Sequence, residues 1–107
     1  MFETEMLLHG LGITTNYKGY EILVAAVDIV LRDENALSDV METIYKGVAE
    51  KLGISAASVE RNIRTAISHA WDIAPNRFNK AIGWPHPYPP TSSELISLLT
   101  EKVKESM

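Results

Sequence analysis

The sequence predicts an all-α domain of about six helices built around a helix-turn-helix, and three observations predict it. Apolar residues recur at spacings of three and four along most of the chain. No stretch alternates apolar and polar residues as a half-buried strand does. Glycine, proline and capping residues divide the chain into pieces of helical length.

The elements follow in order. Residues 3–11 suit a short first helix closed by Gly12, and Ile13 to Asn16 read as a connection. A second helix runs from Tyr17 to Arg32, with an apolar stripe of Tyr20, Leu23, Val24, Val27, Val30 and Leu31. Asp33-Glu34-Asn35 breaks the pattern. A third helix is expected from about Ser38, its N-cap, to Lys46, with a bend at Gly47. Val48 to Leu52 continue as a helix that stops at Gly53. Ser55 caps a long helix that runs to about Ile73, where Ala74-Pro75-Asn76 ends it. Arg77 to Ile82 form a short helix ending at Gly83. The proline-rich Trp84 to Pro90 stretch is expected to be extended and stiff. Thr91 and Glu94 have the spacing of a capping box and open the last helix, with Leu95, Ile96, Leu98, Leu99 and Val103 as its apolar set.

A chain of 107 residues suits one domain, taken as 1–107. The chain has no cysteine, which excludes disulfides and thiolate metal sites. No apolar run is long enough to cross a membrane, and no basic segment precedes an apolar one at the N-terminus. These features suit a cytoplasmic protein with no membrane partner. The net charge of −4 is uneven. Residues 1–50 hold nine acids and three bases, and residues 51–107 five acids and seven bases. Phosphate affinity scales with the number of cations that reach the backbone, so strong non-specific DNA binding is not expected.

The helix-turn-helix is expected over about 46–71. Ala49 is small where a second helix crosses the first, and Gly53 tolerates the left-handed turn four residues later. Ile54 is expected to plug the space between the helices, with Val59 and Ile63 opening the buried face of the second. At about 100° per residue, Val59, Ile63, Ala66, Ile67 and Ala70 make one stripe. The opposite side carries Ala57, Ser58, Arg61, Arg64, Thr65 and Ser68, with Glu60 at its flank. Arginine can donate two bonds to a guanine, glutamate can accept from cytosine, and serine or threonine can reach phosphates. These residues point to double-stranded DNA.

The same residues carry a resemblance. Leu8-His9-x-Leu11-Gly12-Ile13, Lys18-Gly19-Tyr20 with Leu23, Ser58-Val59-Glu60-Arg61-Asn62-Ile63-Arg64, Ala66-Ile67, Ala70-Trp71 and Pro90-Thr91-Ser92-Ser93-Glu94-Leu95-Ile96 resemble the C-terminal effector domain of sporulation response regulators of endospore-forming Firmicutes. The likeness runs from about Glu5 to Val103. It implies a transcription regulator of the phosphorelay that reads short TGTCGAA-like boxes. It also implies base reading by Glu60 and Arg61, and a backbone or flanking contact by Arg64. Ser55, Ser58, Thr65, Ser68 and Lys80 complete the expected backbone and flanking contacts. Further implied partners are a second copy on tandem sites and the RNA polymerase sigma subunit, met through about Ile73 to Trp84. The chain departs from that family at Ser58 and Thr65, where basic or histidine side chains are expected, and at Lys46, where proline is usual. It carries no receiver domain, as expected of either an excised effector domain or a one-domain relative.

The alternative is a protein-interaction domain of the same fold with lost or weakened DNA binding, which the acidic charge favours. An enzyme is not expected. His69 and Asp72 lie three apart on one helix, but zinc needs three or four ligands, so no metal and no cofactor is expected. No phosphate loop, nucleophile motif or catalytic residue can be named.

Overall fold

The computed structural model describes residues 2–107. Six α-helices form among these residues: α1 (Phe2–Leu11), α2 (Lys18–Arg32), α3 (Lys46–Leu52), α4 (Ala56–Ile73), α5 (Asn76–Ile82) and α6 (Ser92–Glu105). No strand forms among them. The all-α expectation therefore holds.

The centre of the fold is α2, which packs against α4, α6, α3 and α1. Its predicted stripe is buried at Tyr20, Leu23, Val27 and Val30, but Ile22, Ala25 and Ala26 are buried as well. A helix with neighbours on several sides needs more than one apolar face. Leu8, Ile44, Ile63, Phe78, Leu95 and Leu99 join it in one core cluster. Each fully buried side chain of this size contributes about 1.5–3 kcal/mol from removal of its apolar surface from water.

The segment between α2 and α3 differs from the predicted helix with a Ser38 cap. Glu34–Asp39 is a 3-10 segment and Val40–Tyr45 a π-helical one. Ser38 does not cap; its hydroxyl donates back to the Asn35 carbonyl (2.7 Å), and Asp39 accepts from the Glu42 N–H instead (3.2 Å). Nor does the helix break at Gly47. The π-helical stretch passes directly into α3, with the Lys46 N–H reaching the Met41 carbonyl. Gly47 lies within α3 where it meets Ile29 of α2, so packing rather than propensity decides its conformation.

The Trp84 to Pro90 stretch is not extended. The Trp84 indole Nε1 donates to the Tyr88 carbonyl (2.6 Å), folding the segment back on itself. His86 and Tyr88 stack with ring centroids 5.1 Å apart, and the Trp84 ring meets both edge-on. Burial of Trp84 and a partner for its N–H outweigh the stiffness of the prolines.

The capping box at α6 forms as read from the sequence. Glu94 N–H donates to the Thr91 hydroxyl (3.2 Å), and Thr91 N–H donates to the Glu94 carboxylate (3.0 Å). The Thr91 backbone bond, then the Thr91 side chain, hold the Glu94 carboxyl below its ordinary 4.5. A carboxylate with a lowered folded pKa stabilises the fold above its unfolded value, and that contribution is lost as pH falls through the folded pKa. Glu94→Gln keeps a box of this geometry but has nothing to titrate. The urea midpoint of the parent should therefore drop more between pH 6 and pH 3 (about a unit or more either side of the ordinary value) than that of Glu94→Gln. Parallel drops would assign acid sensitivity to other carboxylates.

Candidate nucleic-acid interface

The pair α3 and α4 stands where the spacing placed the helix-turn-helix. Gly53 adopts φ 70°, and the N–H groups of Gly53 and Ile54 both return to the Ala49 carbonyl. Only this left-handed residue lets α3 stop within one turn, which is the conformation glycine adopts without steric cost. Ala49 is nearly buried under the crossing, and Val59 and Ile63 are fully buried. Ile54 does not plug the space between the helices. It is 37% exposed, at the mouth of a hollow shared with Leu52 and Ile22, while Val48 and Val59 fill the interior. The turn carries the chain outward at Gly53, so the next side chain starts at the surface.

Ser55 opens α4, and its hydroxyl accepts from the Ser58 N–H (3.1 Å). Such a cap contributes about 1 kcal/mol. The first turn of α4 holds no acid, so the positive end of an 18-residue helix is left unneutralised from within. Val59, Ile63, Ala66, Ile67 and Ala70 are all buried, which fixes the opposite face outward. Arg61, Arg64, Thr65 and Ser68 are exposed there, and Ser58 and Glu60 half-buried.

Two bonds organise that face. The Arg61 guanidinium donates to the Ser58 hydroxyl (3.2 Å). Arg64 pairs with Glu60 at 3.2 Å, one turn apart, with side chains 63% and 31% exposed. An exposed pair of this kind contributes about 0.3–0.5 kcal/mol. Bonds this weak leave both guanidinium groups available to other partners.

Lys80 lies apart from this face. It is exposed on α5, which packs chiefly against α1 and α6. Three features beside α4 were not foreseen. Lys18, at the start of α2, shares a hollow with Ser58 and Asn62. Asn62 donates to the Ser58 carbonyl (2.9 Å). Pro89 to Ser92, ahead of α6, wall a second hollow against Glu60, Arg64 and Ser68. Buried Tyr45 stands near this wall: burial pushes its phenol up, a hydrogen bond with Ser92 lowers it, and the Glu60 carboxylate raises it. Lys18 and Pro89 to Ser92 come from distant parts of the chain, so local spacing gives no signal for them. Lys18, Asn62 and Pro90 to Ser92 all fall within motifs of the resemblance, but it implies no interface role for them.

Trp71, Trp84, Tyr17 and Tyr20 all pack against or within the core, and Trp71 meets Phe78 edge-on at 5.2 Å. His69 packs against Tyr17 at 6.1 Å. Among the described residues no cluster of three histidines or carboxylates is placed to hold a metal, and no helix is long and apolar enough to cross a membrane.

A short helix, a left-handed glycine and a long helix with a cationic outer face define the helix-turn-helix class of transcription regulators. Comparison with known families agrees: the description "sporulation initiation factor Spo0A C terminal" matches residues 4–103. The chain belongs to that family, which is the DNA-binding domain of a sporulation transcription factor rather than an enzyme. The family expected from the sequence motifs is the family found.

Proposed function

We propose that residues 1–107 act as one cytoplasmic domain that recognises short TGTCGAA-like boxes through α4. Glu60 and Arg61 read bases, and Arg64 contacts the backbone or a neighbouring base. Ser55, Ser58, Thr65 and Ser68 supply phosphate and flanking contacts; Lys80 reaches DNA only at its margin. The observation that carries this reading is the outer face of α4, where burial of the Val59 stripe leaves both arginines outward on a helix with no acid in its first turn. Glu60, the one acid beside them, suits acceptance from a cytosine amine.

Self-association on tandem boxes and a contact with the RNA polymerase sigma subunit complete the proposal. The segment Ile73 to Trp84 supports the latter: Ile73 is 70% exposed, and Asn76 and Asn79 line an open groove with Trp71 and Trp84. A second reading, a protein-interaction domain with weakened DNA binding, is favoured by one observation. Both arginines of the face are engaged within the helix, on a chain of net charge −4.

Selection of bound sequences from a random duplex pool at low salt separates the two. Enrichment of a TGTCGAA-like box is expected. A pool without enrichment, and no shift with any box variant, would leave the protein-interaction reading.

A further inference from the structure

Two arginines on the recognition helix are few for a DNA-binding face, which raises the question of where further phosphate contacts come from. The cations of this chain sort by partner. Arg32, Lys46, Arg64, Lys102 and Lys104 each pair with a carboxylate at 2.7–3.5 Å. Lys18, Lys51, Arg61, Arg77 and Lys80 have no such partner among the described residues. What distinguishes Lys18 is that it comes from outside α4 and lines a hollow with Ser58 and Asn62, where Glu21, one turn along α2, is the acid at hand.

The position of Lys18 is rigidly set. The next residue, Gly19, is buried against the middle of α4. A Cβ there would lie 2.7 Å from the Asn62 carbonyl oxygen and 2.9 Å from the Ala66 Cβ. The two backbones therefore touch, and α2 starts directly beside the recognition helix. The hollow at this junction is bounded by Lys18, Ser58 and Asn62, on the N-terminal half of α4. In a helix-turn-helix that half enters the major groove, and the strands that border the groove run past elements flanking it.

We infer that Lys18 is a DNA phosphate contact supplied from outside the helix-turn-helix. This rests on the reading that α4 enters the major groove. The ammonium at the start of α2 meets a backbone phosphate while Ser58, across the hollow, contacts the same strand. A lysine serves here as a point charge and carries no sequence information. It adds a third cation to Arg61 and Arg64 and attaches the DNA to the central helix of the fold.

The test is fluorescence anisotropy of a labelled TGTCGAA duplex and of a scrambled duplex, titrated with parent, Lys18→Ala, Lys18→Arg and Lys102→Ala over a range of salt. Lys18→Ala should weaken both duplexes alike, by about three- to tenfold, and reduce the slope of log affinity on log salt by about 0.9. Lys18→Arg should keep the parent slope, and Lys102→Ala, on α6, should match the parent. Melting curves exclude a folding defect, since the side chain is exposed. An unchanged slope in Lys18→Ala, or a loss confined to one duplex, overturns the inference while α4 recognition stands. No binding of either duplex by the parent at low salt overturns both.

Discussion

Gly19→Val should destabilise the protein by about 3 kcal/mol, lowering the melting temperature by about 12–20 °C. The cause is steric and lies in backbone atoms. Even one added carbon would stand 2.7 Å from the Asn62 carbonyl oxygen and 2.9 Å from the Ala66 Cβ. Neither group is the end of a flexible side chain, so α2 and α4 must separate. This is the most extensive helix pair of the fold, and separation opens gaps along Leu23, Ile63 and Ile67. Better helix propensity offsets at most about 1 kcal/mol of the cost. Gly10→Ala provides the contrast. Its new Cβ would meet the Ala81 Cβ at 3.5 Å, an ordinary contact, so that variant should be neutral or gain up to about 1 kcal/mol. Thermal melts of the two variants check the claim. A Gly19→Val melt within about 3 °C of the parent, a shift below about 1 kcal/mol for a domain of this size, would show that the crossing has slack. DNA affinity should fall with stability here, because the displaced partner is the recognition helix itself.

Most of this architecture is legible in the sequence because its signals are local. The Thr91–Glu94 box, the Ser55 cap and the Gly53 stop act within a few residues, and each stands where spacing placed it. The buried stripe of α4 follows from helical period alone. The misreadings concern positions that tertiary contacts decide. Ser38 has the chemistry of a cap, but Asp39 holds the geometry one residue later. Gly47 has the propensity of a break, but α3 runs through it against Ile29. The prolines of 85–90 suggest extension, but the Trp84 indole pulls Tyr88 back. The apolar character of Ile54 suggests the interior, but the outward turn at Gly53 leaves it at the surface. On the interface the same division holds. The outer face of α4 could be read from periodicity, whereas Lys18 and the Pro89–Ser92 wall reach it only through folding.

Arg61→Ala should cost about 1–3 kcal/mol of binding to the preferred box, roughly five- to 150-fold in affinity, and relax preference at one base pair. Arg61 and Arg64 are both exposed, but they are held differently. Arg64 is paired with the Glu60 carboxylate, so its removal releases Glu60 as well as taking away the phosphate contact proposed for it. Arg61 leans only on the neutral Ser58 hydroxyl at 3.2 Å. A guanidinium has five N–H donors, so that single bond leaves the fork able to grip guanine O6 and N7. Arg64→Ala should therefore weaken all duplexes together and lower the salt slope by about 1, with some loosening where Glu60 reads. Arg61→Ala should act mainly on the preferred box. Arg61→Lys separates charge from geometry: it should keep the salt slope and lose part of the discrimination, because an ammonium on a flexible stem lacks the planar, pre-organised fork of a guanidinium. Neither arginine is packed in the core, so melting curves should move by no more than about 0.5 kcal/mol. The decisive measurement is affinity of each variant for a panel of boxes changed one base pair at a time. If Arg61→Ala retains the parent's full preference at every position, Arg61 is a phosphate contact and base reading falls to Glu60 and Arg64.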